Sequence, residues 1–353
     1  MTTKRGMLLA AGLSLAGLVL WAAAPADGPL LTRAKALFQP LPKAQESAAN
    51  PLRPVRVELG KMLYYEPRLS KSGVFSCNSC HNLATYGVDN GATSMGHKWT
   101  LGPRNAPTTL NAASHVSQFW DGRAKDVEEQ AKGPVLNPKE MASPHGRFVV
   151  ERIASIPEYV DLFQKAFAGE VHPLTYDNVA KAIGAFERTL VTPGRFDKFL
   201  GGDLGALTAE EKAGLDLFIE TGCVACHMGP AVGGGMYQKF GVYKPFQTLT
   251  RSKTVDNGRF EATRAEADRF LFKVPGLRNV ANTYPYFHDG SVWGLGEAVK
   301  DMGELQLDKK LTEAEIKSIL SFLRSLTGEV PREARTLPLL PPSTEKTSRP
   351  EYD

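Results

Sequence analysis

The four cysteines of this chain fall in two pentapeptides, Cys77-Asn78-Ser79-Cys80-His81 and Cys223-Val224-Ala225-Cys226-His227. Each reads Cys-x-x-Cys-His, the spacing that attaches c-type haem. Two thiols reach the two vinyl groups of one porphyrin, and the adjacent imidazole turns onto the iron. A redox Cys-x-x-Cys, a zinc site or two disulfides would use the same thiols. None of these needs a histidine directly after the second cysteine, twice. The pattern predicts two covalent haems, with His81 and His227 as iron ligands. The other ligand of a haem iron sets its task. His97, His115, His145, His172 and His288 remain available, as do Met62, Met95, Met141, Met228, Met236 and Met302. Spacing does not choose among them.

The elements that must hold these motifs are helical. Val57 to Tyr65 reads as a short helix with Leu59, Met62 and Leu63 on one face, and it leads into the first motif. Residues 82–111 are rich in Gly, Asn, Thr and Pro and read as loop. Helical pattern returns from Phe148 to Phe167, interrupted at Pro157, and from Tyr176 to Val191. In the latter Val179, Ile183, Phe186 and Leu190 recur at helical spacing. Thr192-Pro193-Gly194 is a stop signal and a domain boundary. Thr208 with Glu211 and Thr312 with Glu315 are capping boxes that open two further helices. The first of these runs into the second motif, so one helix–break–motif unit is used twice. Residues 27–50 read as a loose lead-in, and 229–262 as a long polar excursion. Gly233-Gly234-Gly235 lacks the Gly-Lys-Ser/Thr ending of a phosphate cradle. Alternating patterns are scarce, so the fold class is all-α.

At 353 residues the chain has the length of two domains, and 42% hydrophobic with 23% charged residues is a globular composition. The net charge is +4, of which Lys4 and Arg5 supply two units. The chain carries no basic run or Arg-rich patch, which argues against a nucleic-acid partner. Residues 1–26 read as an export signal: Lys4 and Arg5, an apolar stretch from Met7 to Trp21, and Ala24-Pro25-Ala26 as a cleavage site. An uncleaved anchor is the alternative. Either way the body is expected outside the cytoplasm, where thiols not bonded to haem would oxidise.

Several stretches resemble the bacterial di-haem cytochrome c peroxidases. They include Gly60-Lys61-Met62-Leu63-Tyr64-Tyr65, Gly102-Pro103-Arg104-Asn105-Ala106-Pro107-Thr108, Gln118-Phe119-Trp120-Asp121-Gly122-Arg123 and Asn137-Pro138-Lys139-Glu140-Met141. Val274-Pro275-Gly276-Leu277-Arg278-Asn279 and Tyr284-Pro285-Tyr286-Phe287-His288-Asp289-Gly290 extend the likeness through the second half.

The resemblance implies two cytochrome c-like domains. A peroxidatic one spans 43–190 plus 330–350, and an electron-transfer one spans 191–329. It implies a first haem on Cys77, Cys80 and His81, with His97 as a distal ligand that leaves on activation. It implies a second haem on Cys223, Cys226 and His227, with Met302 as its other ligand. A thioether favours ferrous iron and raises the potential. Trp120 resembles the family's tryptophan between the haems, Glu140 its acid–base residue and Gln130 that residue's polar neighbour. Asn105, Thr283 and Pro285 match its calcium site, and His288 a residue near the second haem's propionates. The implied reaction is reduction of hydrogen peroxide to water in the periplasm by a homodimer. The implied donor is a small soluble protein, a cytochrome c or a blue-copper cupredoxin. A non-catalytic di-haem electron carrier and a di-haem oxidase of quinone-cofactor maturation are the alternatives. In the latter a tyrosine is expected at Met302.

Overall fold

The computed structural model describes residues 27–250, 252 and 255–353. The export segment expected over 1–26 lies outside the described residues. Helices dominate, as the sequence predicts. In chain order they are α1 (Asp27–Leu37), α2 (Pro54–Tyr64), α3 (Cys77–Cys80), α4 (Val127–Leu136), α5 (Gly146–Ala154), α6 (Pro157–Ala166) and α7 (Tyr176–Glu187). The second half continues with α8 (Arg195–Leu200), α9 (Ala209–Thr221), the single turns α10 (Gln247–Thr250) and α11 (Phe260–Thr263), α12 (Leu295–Leu307), α13 (Glu313–Ser325) and α14 (Arg332–Arg335). Strands β1 (Tyr237–Lys239) and β2 (Leu271–Lys273) form one antiparallel ribbon. Pro157 stands at the first position of α6, where its missing N–H costs nothing. Thr208 and Thr312 cap α9 and α13 by accepting from Glu211 N at 3.2 Å and Glu315 N at 3.3 Å. Among the described residues no helix is long and apolar enough to cross a membrane.

Two hydrophobic cores form. One gathers Leu59, Leu63, Phe163, Ile183 and Phe186, and the other Phe196, Leu215, Phe218 and Phe322. In each half, the helix that leads to a haem motif crosses a second helix at a glycine. A Cβ on Gly60 of α2 would lie 1.8 Å from the Ala182 carbonyl oxygen of α7. One on Gly214 of α9 would lie 2.1 Å from the Ser318 carbonyl oxygen of α13. No other residue lets the backbones meet so closely.

The repetition extends into the loops. Asn111 and Asn279 both adopt left-handed backbone, φ 61° and 63°, and each opens a 3-10 turn. Eight residues on, Phe119 and Phe287 do the same at 67° and 69°, followed by Gly122 and Gly290 at 67° and 60°. Both loops close with a bridge, Gln118 to Ala124 and Tyr286 to Val292. The side-chain amides of Asn111 and Asn279 both donate to Thr192 Oγ1, at 2.8 Å each, where the chain passes from one core to the other.

The lead-in differs from expectation, whereas the C-terminal tail lies on the first core as the resemblance implies. Residues 27–37 are helical rather than a loose lead-in. Leu30, Ala34 and Phe38 pack into the second core, and Asp27 pairs with Lys212 at 2.9 Å. The Pro-rich C-terminal tail wraps the first core. There Arg152, 2% exposed, donates to Ser70 O at 2.6 Å, Ser348 Oγ at 2.7 Å and Arg349 O at 3.2 Å.

The crossings yield a direct test. Gly60→Ala must push α2 off α7 and should cost about 1–3 kcal/mol, lowering the unfolding temperature. Gly28→Ala on α1, where a Cβ meets nothing within 4 Å, should cost nothing. Thermal unfolding of both variants measures the difference.

Candidate haem sites

The two attachment turns share one geometry. His81 N donates to Cys77 O at 2.9 Å, and His227 N donates to Cys223 O at 3.0 Å. Ser79 closes the start of the first turn, its Oγ accepting from Ser76 N and its N–H donating to Ser76 O, at 3.0 Å each. Gly222, at φ +97°, ends α9 and starts the second. All four cysteines are free of disulfides. Among the described residues no three His, Cys, Asp or Glu side chains converge as a metal set. Tyr64 of α2 donates to His81 O at 2.6 Å and fixes the turn to the helix that precedes it. Burial lowers the pKa of both imidazoles, His227 to about 4, so both stand neutral with a lone pair to give. His227 Nδ1 lies 3.3 Å from Val232 O, which orients the ring and leaves Nε2 as the donor atom.

A cavity opens at the first motif, lined by Cys77, Cys80, His81, Gln130, Glu140 and Glu187. Glu140 is half-buried. Burial raises its pKa, against the charge of Arg123 and a 2.7 Å hydrogen bond donated by Asn137 Nδ2. A carboxyl in this setting can take up and return a proton. Gln130 reaches the cavity from α4, whose first turn Asp126 caps by accepting from Glu129 N at 2.8 Å.

His97 is 6% exposed, and its Nδ1 has no partner among the described residues. It sits on a tight loop in which Lys98 and Trp99 are both left-handed, at φ 55° and 59°. That loop is tied to the Glu140 segment, since His97 N donates to Glu140 O at 2.8 Å. Gly96 lies so close that a Cβ would come within 2.1 Å of Lys139 O. The free thiols, the cavity, the neutral imidazole of His81 and the orphaned nitrogen of His97 fit a haem at this position.

At the second motif, the His227 ring packs beside Phe218. Met302 lies half-buried on α12. The end of that helix meets the motif, since Lys309 Nζ donates to Thr221 O at 2.9 Å. The other candidate ligands have different roles. His145 caps α5 through Nδ1, His172 is exposed, and Met62 and Met141 belong to the first core.

Trp120 and its repeat equivalent His288 face each other edge-on, ring centres 6.4 Å apart. Trp120 Nε1 donates to Asn105 O at 2.9 Å, and Asn105 N donates to His288 O at 2.7 Å. Reciprocally, Lys273 N donates to Trp120 O at 2.8 Å. Asn105 spends its side-chain N–H groups on Gly91 O and Ala92 O, at 3.0 and 3.3 Å, which leaves the amide oxygen as a hard ligand. Thr283 and Pro285 lie on the same segment as His288, where Asn90 Nδ2 donates to Tyr284 O at 2.9 Å.

Three groups were not singled out from sequence. Arg104 bridges Asp121 and Asp256, at 2.6 and 2.7 Å. Lys273 lies on His115. Glu187 is a buried carboxyl to which no described residue donates a hydrogen bond. It falls four residues after Ile183, within the apolar stripe of α7, and that position was its signal.

Burial, and then the charge of Glu128, push the Glu187 carboxyl up to about 8 from an ordinary 4.5. The folded chain therefore holds a proton that the unfolded chain has released, and stability falls as pH rises between these values. Glu187→Gln removes the effect. The variant's unfolding temperature, relative to the parent, should climb from pH 5 to pH 8, and a difference constant with pH would locate the proton elsewhere.

The di-haem cytochrome c peroxidase family profile matches residues 54–205, and the cytochrome c profile matches residues 211–327. The chain is 51% identical over 313 residues to the cytochrome c551 peroxidase of Nitrosomonas europaea, covering 86% of this chain and 91% of that protein. It is 50% identical over 321 residues to that of Pseudomonas aeruginosa, covering 90% and 91%. Among solved structures, a MauG-like protein associated with microbial copper homeostasis superposes with a TM-score of 0.75 at 27% identity, over 84% of this chain and 97% of that one. With two attachment turns of one geometry, a cavity at the first and this degree of likeness, the chain belongs to the di-haem cytochrome c peroxidase family.

Proposed function

We propose that the chain reduces hydrogen peroxide to water outside the cytoplasm, in the periplasm, with electrons from a small soluble donor such as a cytochrome c or a cupredoxin. The observation that carries this reading is Glu140. Its carboxyl shares one cavity with Cys77, Cys80 and His81, and its backbone holds the His97 loop. A haem bound at each motif supplies an iron that exchanges single electrons, and at the first motif one that can meet peroxide. Cys77 and Cys80 fix the first haem with His81 as its ligand, and Cys223 and Cys226 fix the second with His227 and Met302.

The chain's own residues then manage protons and access. Reduction of one peroxide consumes two electrons and two protons and yields two waters. Glu140 takes the proton from one peroxide oxygen and delivers it to the other, the task of a positioned carboxyl with a raised pKa. Gln130, which lines the same cavity, orients the peroxide. His97 guards access, and its loop must release the Glu140 carbonyl to move away. Trp120 stands between residues 43–190, the peroxidatic domain with 330–350, and residues 191–329, the electron-transfer domain. There it serves as the electron bridge. The Asn105 amide oxygen with the Thr283 and Pro285 carbonyls forms a calcium site that steadies this junction, and two copies of the chain associate as a homodimer. Met302, rather than a tyrosine, favours the peroxidase over quinone-cofactor maturation.

Glu140→Gln should retain both haem spectra and lose at least about 10²-fold in peroxide turnover with reduced cytochrome c. Unchanged turnover would remove Glu140 from the chemistry, whereas a parent enzyme without peroxide turnover would favour a pure electron carrier. Met302→His should lower the midpoint potential of the second haem in a redox titration, because an imidazole favours ferric iron more than a thioether does.

A further inference from the structure

Lys273 closes β2 and is 5% exposed. Its Nζ lies 3.0 Å from His115 Nδ1, and no described carboxylate pairs with it. A buried ammonium ordinarily requires an opposite charge. His115 provides none. Burial and the neighbouring lysine hold its pKa well below the ordinary value, so it is a neutral acceptor. Burial pulls Lys273 down only to about 8, so the ammonium is charged at neutral pH.

The pair is wedged between the second haem motif and the tryptophan. A Cβ on Gly234 would lie 2.2 Å from His115 Cδ2, and one on Gly276 would lie 2.8 Å from His115 Nε2. The residues just before these glycines are Gly233 and Pro275. A Cβ on Gly233 would lie 2.2 Å from Pro275 O and 3.1 Å from His227 Nδ1. One layer of backbone thus separates the His115 ring from the His227 ring. On the other side, Lys273 N holds the Trp120 carbonyl.

The internal repeat gives this placement a second meaning. Asn105 N bonds to His288 O as Lys273 N bonds to Trp120 O, so Asn105 and Lys273 are equivalent positions. Counting from Asn111 and Asn279, His115 is equivalent to Thr283. The first-half residue that would ligate a cation therefore corresponds to a second-half residue that carries one.

We propose that Lys273, held by His115, is a built-in cation that favours the one-electron-reduced state of the second haem and so makes that haem the entry point for electrons bound for Trp120. The inference rests on reading the second motif as the electron-receiving haem. The step concerned is a one-electron transfer: the donor would lose one electron, the haem held by Cys223, Cys226 and His227 would gain it, and no bond or proton changes hands. At an effective dielectric constant of about 20, a unit charge about 12 Å away changes a reduction equilibrium roughly tenfold, or about 59 mV for one electron.

The test is spectroelectrochemical titration of both haems in the purified holoenzyme at pH 7, with covalent haem content and unfolding temperature measured alongside. Lys273→Gln and Lys273→Met should each lower the second haem's midpoint by about 59 mV and shift the first haem's less, whereas Lys273→Arg should hold the parental value. Unshifted midpoints in a folded neutral variant, an Arg variant as low as Gln, or loss of covalent haem from both neutral variants would overturn the proposal and leave Lys273 a packing residue. A parent enzyme whose second haem is not the first reduced would overturn the underlying assignment instead, and that result needs no variant.

Discussion

Two backbone hydrogen bonds, exchanged between copies of one loop, fix the centre of this molecule. Asn105 N reaches His288 O, and Lys273 N reaches Trp120 O. Each half supplies one donor and one acceptor, so neither loop can shift without breaking both. The constraint is passed outward. The left-handed backbone at Phe119 and Phe287 turns Trp120 and His288 face to edge between the cores. From the same loops Asn111 and Asn279 clasp Thr192. Buried backbone groups satisfied in this reciprocal way resist sliding, because leaving one unpaired costs more than the bond contributes.

At the first haem motif, the His97 loop and the Glu140 segment are mechanically joined. The amide of His97 hangs on the carbonyl of Glu140, and Gly96 rests directly on the Lys139 carbonyl. The position of this loop therefore fixes the very segment that presents the carboxyl. The left-handed backbone at Lys98 and Trp99 is strained for residues other than glycine. The second motif is built for stillness instead. Its histidine is backed by Val232, Gly233 and Pro275 with no room for a side chain between them.

Covalent chemistry is legible in sequence because it fixes spacing, and so the two Cys-x-x-Cys-His turns could be read outright. The caps at Thr208 and Thr312 were legible for a similar reason, since a side chain must meet a backbone amide three residues on. Helix α1 was not, because Gly28 and Pro29 hide a helix whose apolar residues gain partners only when the second core assembles. Helix α4 carries Pro134 near its end and shows a narrow buried face of Val127, Ala131 and Val135. The loop repeat, Asn-x7-Phe-x-Asp-Gly at 111–122 and 279–290, was open to view. It escaped a search for hydrophobic period because its content is backbone conformation. Lys273 could not have been singled out at all, since its burial comes from His115, 158 residues away.

The tail that wraps the first core bears on biogenesis. Arg152 finds Ser348 Oγ across 196 residues of chain, and Glu351 N finds Lys71 O. Synthesis runs from the N-terminus, so the second half can be made and collapsed before these groups emerge. The half that holds the cavity is thus the last to be sealed, and its guanidinium waits on open water until then. A maturation apparatus that joins haem to Cys77 and Cys80 would meet that half while its outer wall is still missing.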